Sequence, residues 1–167
     1  MTGRIEVSRS LSPVTMPARL FNELNEHARE THPEECCGLL TGAESGSFER
    51  LHRCRNEMTK LHQLDSARFP RDGHTAFHMS EVDYLRVQTE ADEIGHTVTA
   101  VYHSHANAGP YFSELDQEFA LQPAFPFPGA DHIVISVVDG LLGESAIFRR
   151  IDDTPDFEGR LLTAEAP

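Results

Sequence analysis

Hydrophobic positions along the chain fall into short blocks with two different periods. From Pro17 to Thr31, Leu20, Phe21, Leu24 and Ala28 recur at helical spacing. Pro17 suits a first helical turn and Pro33 closes the segment, so this stretch is predicted to be a helix. Glu35 to Thr41 reads as a short buried strand ended by Gly42, with Phe48 to Arg55 as its antiparallel partner. Asn56 to Thr75 is polar, contains Pro70 and Gly73, and is expected to be a long irregular loop. Ala76 to Met79 is a candidate short strand. Ser80 is a candidate N-cap for a helix running to about Ile94, with Val82, Leu85, Val87 and Ala91 expected on its buried side. Thr97 to Tyr102 is a clear strand leading into His103. Ala106 to Phe112 reads as a loop, and Ser113 starts a helix to about Leu121. A surface connection carrying Pro123, Pro126 and Pro128 follows. His132 to Val138 and Ser145 to Ile151 are expected strands joined by a turn around Gly140 and Gly143, and the tail after Asp152 is expected to be loose. This order of strands and helices indicates an α/β sandwich built around one sheet.

The 167 residues are enough for one domain with a sizeable core. A net charge of −13 argues against nucleic acid as a main partner, since phosphate binding needs Lys and Arg, and disfavours anionic membranes. No run approaches the ~20 apolar residues of a membrane span, and Met1 to Met16 lacks a signal-like apolar stretch. The expected location is the cytoplasm. The three cysteines, Cys36, Cys37 and Cys54, make a poor disulfide framework and contain no CxxC zinc spacing.

The candidate chemistry lies in His103-Ser104-His105 followed by Ser113 and Asp116. Residues two apart in a strand share a face, so both imidazoles face one way. A Ser113 N-cap puts Asp116 at the third helical position, with its carboxylate in the first turn. Two imidazoles and a carboxylate suit zinc and leave a fourth position for water. A hydrolase also needs an unligated carboxylate as base, and Glu34 and Glu35 both stand at the mouth of the first strand, before an apolar run. Taken singly, each feature has a plain reading. Ser-x-x-Asp is a capping pattern, a histidine at a strand end is commonly structural, and two adjacent glutamates are commonly a solvated turn. The remaining histidines show no ligand spacing, and Cys36 and Cys37 fit as small core residues.

Glu35, His103-Ser104-His105, seven intervening residues, Ser113, two more and Asp116 resemble the motif of the JAMM (Mov34/MPN/PAD-1) zinc metallopeptidases. Pro33-Glu34-Glu35-Cys36-Cys37-Gly38-Leu39-Leu40 resembles the family's glutamate segment, and that alignment selects Glu35 over Glu34. The similarity spans about residues 17–151, leaving 1–16 and 152–167 as terminal extensions of a single domain. One departure is visible: many members have Pro after the second histidine, where this chain has Ala106.

The resemblance implies an MPN/JAMM-type α/β domain with a central mixed sheet flanked by helices, a cytidine-deaminase-like architecture. It implies one zinc ion per chain on His103, His105 and Asp116. Glu35 would move a proton from the attacking water to the leaving amine, and Ser113 would donate to the oxyanion. The chain resembles the short, stand-alone prokaryotic type. For that type the resemblance implies hydrolysis of a peptide or isopeptide bond after the C-terminal Gly-Gly of a ubiquitin-like or sulfur-carrier protein. The alternative is a non-catalytic MPN-type binding scaffold. A cupin, a long amidohydrolase barrel and a Pro-Cys-x-x-Cys deaminase do not match the spacing or the length.

Overall fold

A computed structural model describes residues 3–167; the first two residues of the expected N-terminal extension, Met1 and Thr2, lie outside the described residues. The elements in chain order are β1 (Val14–Met16), α1 (Ala18–Thr31), β2 (Cys37–Gly42), β3 (Arg50–Cys54), α2 (Met58–Leu64), α3 (Glu81–Glu93), β4 (Thr97–Ala106), α4 (Glu114–Leu121), β5 (Asp131–Val138), β6 (Leu141–Arg150) and β7 (Phe157–Ala164). The strands form one seven-stranded sheet in the order β1-β7-β6-β5-β4-β2-β3. The β4–β5 and β1–β7 pairs are parallel and the others antiparallel, so the sheet is mixed, as expected.

Period-two alternation divides the sheet between two cores. On one face Ala100 and Tyr102 of β4 pack with Ile133, Ile135 and Ile147 against Leu20, Leu24 and Ala28 of α1. Each of those leucines is fully buried, which is worth ~1.5–3 kcal/mol per side chain. On the other face Val101 joins Leu39, Cys37 and Cys54 beneath Val87 of α3, and Val134, Ala146 and Phe148 pack with Ala120 of α4. His103 and His105 have the parity of Val101, so they emerge on the face shared by α3 and α4. Gly38 is required where β2 passes that strand on the first face, since a Cβ there would lie 2.3 Å from the Tyr102 ring.

Five expectations are corrected. The tail after Asp152 is not loose: β7 pairs with β6 and carries β1 on its far side. Asn56 to Thr75 is not wholly irregular, because α2 occupies Met58–Leu64; none of its residues is buried, so it leaves no apolar stripe to read. Ala76 to Met79 forms no strand beyond a single bridge between Met79 and Asn56. Val82 and Leu85 are 70% and 48% exposed. At 100° per residue they lie roughly 140° and 160° around the helix from Val87, and the inward row is Asp83, Val87 and Ala91. Asp83 tolerates that position because its carboxylate accepts from the Arg55 backbone N–H at 2.8 Å and from its guanidinium at 3.0 Å. The turn joining β5 and β6 is centred on Asp139 and Gly140, both at positive φ, while Gly143 lies within β6.

Candidate metal centre and its cleft

The strand β4 continues through both histidines to Ala106, and the parallel pairing with β5 runs alongside from Ala100 to Ala106. The two imidazoles are therefore held by a strand flanked on both sides, and both are buried. Their Nε2 atoms stand 3.2 Å apart. Asp116 approaches from α4, with Oδ1 3.2 Å from His103 Nε2 and Oδ2 3.4 Å from His105 Nε2. Tetrahedral ligands at ~2.0–2.1 Å from a zinc ion are separated by about 3.3 Å. The three edges thus fit one face of a zinc tetrahedron, and the donor set of two imidazoles and a carboxylate fits the metal's preference. Among the described residues this is the one His/Cys/Asp/Glu group so arranged.

Neighbouring contacts orient each donor. His105 Nδ1 lies 2.9 Å from the Gly109 carbonyl, so Nδ1 carries the proton and Nε2 offers its lone pair. Phe77 stacks on the His103 ring at 4.6 Å between centroids, and Tyr111 covers His105 at 4.8 Å. The predicted cap is present in full: Asp116 N–H donates to Ser113 Oγ at 3.0 Å, and Ser113 N–H donates to Asp116 Oδ2 at 3.0 Å. The capping carboxylate and the candidate ligand are thus the same group. Ser113 lines the cleft, and a hydroxyl that accepts from a backbone N–H still has its own proton to donate.

Glu35 reaches the same place through strand register. Cys37 pairs with His103 in the β2–β4 ladder. One step further, Ser104 N–H donates to the Cys36 carbonyl at 3.1 Å, and Cys36 N–H donates to Ser104 Oγ at 2.8 Å. A further antiparallel step sets Glu35 across from His105, on the same face of the sheet. Its backbone is held from the other side too. Glu35 N–H donates to the Gly73 carbonyl at 2.7 Å, and its carbonyl accepts from Asn56 Nδ2 at 2.9 Å. Asn56 also bonds Ala76, Met58 and His78, tying three segments together beside the glutamate.

Glu35, His105, Ser113 and Asp116 line one cleft of about 730 Å³, with Phe77, Tyr111, Arg4 and Arg71 among its walls. Glu34 faces away from it, towards Thr59 and Gly73. Burial pushes the Glu35 carboxyl up from an ordinary 4.5 to about 8; His105 opposes this, Asp116 adds to it, and Arg71 opposes it. Burial raises Asp116 as well, but the two imidazoles outweigh it and hold that carboxyl well below the usual range. Burial lowers His105, yet hydrogen bonding and charge from Asp116 carry it above its ordinary value.

The structure brings all five sequence candidates into this cleft or its buried floor. Sequence reasoning missed Asn56, Phe77 and Tyr111. A lone Asn in a polar stretch and aromatics beside loops carry no spacing that marks them. Cys36, Cys37 and Cys54 are buried and raised in pKa, by burial first, as expected of core thiols. Where many family members have Pro, Ala106 stays in the ladder opposite Val137.

A mixed sheet whose interior strand β4 carries His-x-His, faced by the capping Asp of the next helix, defines a JAB/MPN-type domain. The chain belongs to the prokaryotic homologues of the JAB domain, whose family model matches residues 17–150. It is similar to the CysO-cysteine peptidase of Mycobacterium tuberculosis, with 26% identity over 135 residues and 81% of each chain covered. It is also similar to the tail tip assembly protein K of Escherichia phage N15, with 31% identity over 102 residues, 61% of this chain and 34% of that one. Among solved structures, a Desulfitobacterium hafniense protein superposes with a TM-score of 0.63 at 22% identity, covering 92% of this chain and 94% of the other. A JAB1/MPN domain protein from Archaeoglobus fulgidus superposes at 0.50 with 16% identity, covering 93% and 100%. At these identities the structural likenesses speak to fold alone and bear out the architecture expected from the motif, while the family rests on the match over residues 17–150.

Proposed function

We propose that this chain is a zinc-dependent peptidase that hydrolyses the bond following the C-terminal Gly-Gly of a ubiquitin-like or sulfur-carrier protein. His103, His105 and Asp116 hold the ion, one per chain. The observation that carries this reading is the set of three ligand–ligand distances, 3.2, 3.2 and 3.4 Å, in a cleft that also contains an unligated, buried glutamate. The peptidase named among the relatives supports the reaction class and a sulfur-carrier substrate.

Bound zinc supplies a Lewis acid that polarises a carbonyl and acidifies water. Glu35 accepts the proton of the attacking water and delivers it to the leaving amine. Burial raises this carboxyl to about 8, away from the ordinary carboxylate range and towards neutrality, where one group can both take and give a proton. Ser113 donates its hydroxyl proton to the developing oxyanion, while its oxygen keeps capping α4. Phe77 and Tyr111 fix the imidazole planes and keep water from the rings.

The test is cleavage of a carrier protein ending in Gly-Gly plus a short extension, followed by mass spectrometry. Wild type should release the extension after Gly-Gly, and Glu35→Gln should leave the substrate intact. Zinc-loaded wild type that releases nothing from any such carrier would leave the binding-scaffold reading in its place.

A further inference from the structure

Arg71 stands out in the charge pattern of the cleft. The chain has 27 acidic and 14 basic residues, and most of its arginines are spent on carboxylates: Arg4 on Glu6, Arg53 on Glu30, Arg55 on Asp83. Arg71 has no carboxylate within ion-pair distance among the described residues, and its guanidinium makes one long contact, 3.4 Å to the Thr75 carbonyl. The neighbouring Asp72 is occupied by the His74 backbone N–H at 2.9 Å. Among the described basic residues lacking a carboxylate partner, only Arg71 lines the cleft that holds Glu35, His105 and Asp116.

Its placement is set by the backbone. Two residues on, the Gly73 carbonyl accepts from Glu35 N–H, and Gly73 N–H donates to Thr59 Oγ1 at 2.9 Å. Gly73 has no room for a side chain, because a Cβ would lie 2.1 Å from Glu34 Oε1. The segment bearing Arg71 is thereby pinned against the base itself. Burial raises Glu35, and Arg71 is one of two positive groups that pull it back.

We propose that Arg71 is the specificity-determining residue for a free terminal carboxylate, so that the site prefers chains with a single residue beyond the scissile bond. This rests on the peptidase reading above. The geometry follows from peptide dimensions. When one residue trails the scissile bond, its carboxylate carbon is two bonds, about 2.5 Å, from the leaving nitrogen. Glu35 protonates that nitrogen, so the group that binds the carboxylate must stand beside Glu35. Arg71 is the unpaired cation that does, and a guanidinium matches a carboxylate with two parallel N–H donors. In the hydrolysis the C–N bond breaks, water gives hydroxyl to the acyl carbon and a proton to the amine, and the products are a chain ending in Gly and one free amino acid. Hydrolysis needs no further reactant.

The test separates binding from turnover. Zinc-loaded Glu35→Gln protein is titrated calorimetrically with a carrier tail ending in Gly-Gly-Ala, as the free acid and as the C-terminal amide. The acid should bind about tenfold more tightly than the amide at low salt. In Glu35→Gln with Arg71→Ala the ratio should fall to about one through loss of acid affinity alone, and Arg71→Lys should keep part of it. With Glu35 restored, Arg71→Ala should raise KM for the acid about tenfold more than KM for the amide. Equal binding of acid and amide, a preference that survives Arg71→Ala, or binding of neither overturns the proposal. Discrimination without any turnover upholds the carboxylate subsite and refutes the peptidase reading; equal cleavage of acid and amide does the reverse.

Discussion

Replacing Ser104 with Ala removes one oxygen from the seam between β2 and β4. That oxygen accepts from the Cys36 backbone N–H at 2.8 Å, and both residues are buried, at 2% and 1% exposure. An Ala methyl leaves the N–H with no partner and no water, a cost of ~1–3 kcal/mol. For a chain of this size each kcal/mol lowers Tm by about 2–4 °C, so a loss near 2 kcal/mol corresponds to about 4–8 °C. The same bond fixes the residue next to Glu35. A displacement of the base by roughly 1 Å costs up to 100-fold in rate, and a fall in kcat of about 10- to 100-fold is expected. The imidazoles leave β4 on the opposite face, so zinc content should stay at wild-type level. Denaturant unfolding, zinc content and kcat together make the assay. A stability change under about 0.5 kcal/mol, well below the cost of an orphaned buried N–H, would show that the Ser104–Cys36 bond does not hold the seam, and full activity in the destabilised variant would show that it does not position Glu35.

Two further outcomes follow from the same geometry. In chelator-stripped protein the native state holds the Glu35 proton up to about 8, whereas the unfolded chain releases it near 4.5. The native state binds more protons in that window, so stability falls as pH rises from about 4.5 through 8. Glu35→Gln removes this dependence, and its advantage in Tm over wild type should grow from pH 4.5 to 8.5; a difference that stays flat would show that the carboxyl is not held in an apolar setting. Ser113→Ala loses the cap, worth ~1 kcal/mol, and should lower kcat about 100-fold if the hydroxyl also serves the oxyanion. The stability loss with kcat within about twofold of wild type, far from the oxyanion-donor effect, would leave Ser113 as a cap alone.

The parts legible in the sequence were those governed by local geometry. Alternation along β4 aligns His103 with His105, and the Ser113–Asp116 spacing is a capping box whichever chemistry it serves. The apolar stripe of α1 maps directly onto its buried face. What escaped depends on contacts distant in sequence. β7 alternates only over its first residues: Phe157 and Gly159 are buried, the inward Gly159 carries no apolar side chain to read, and the buried Leu162 breaks the phase, so its partners define it. Choosing between Glu34 and Glu35 needed either the family motif or the β2–β4 register, since two adjacent carboxylates are equivalent by composition. The misplaced Val82 and Leu85 were an error of phase, readable from the helical wheel once Val87 and Ala91 are taken as the anchor. Asn56 could not be found in advance, because its value lies in joining Glu35, Ala76 and His78 across some twenty residues of chain.

Whether His103, His105 and Asp116 hold a catalytic zinc is decided by X-ray absorption at the zinc edge of the purified protein, taken with its turnover. About one zinc per chain is expected, bound by two imidazole nitrogens and oxygen at ~2.0–2.1 Å. Glu35→Gln should keep that spectrum and lose turnover, and His103→Ala should lose both. A wild-type protein that takes up no zinc, or whose zinc shell survives His103→Ala unchanged, would contradict that assignment.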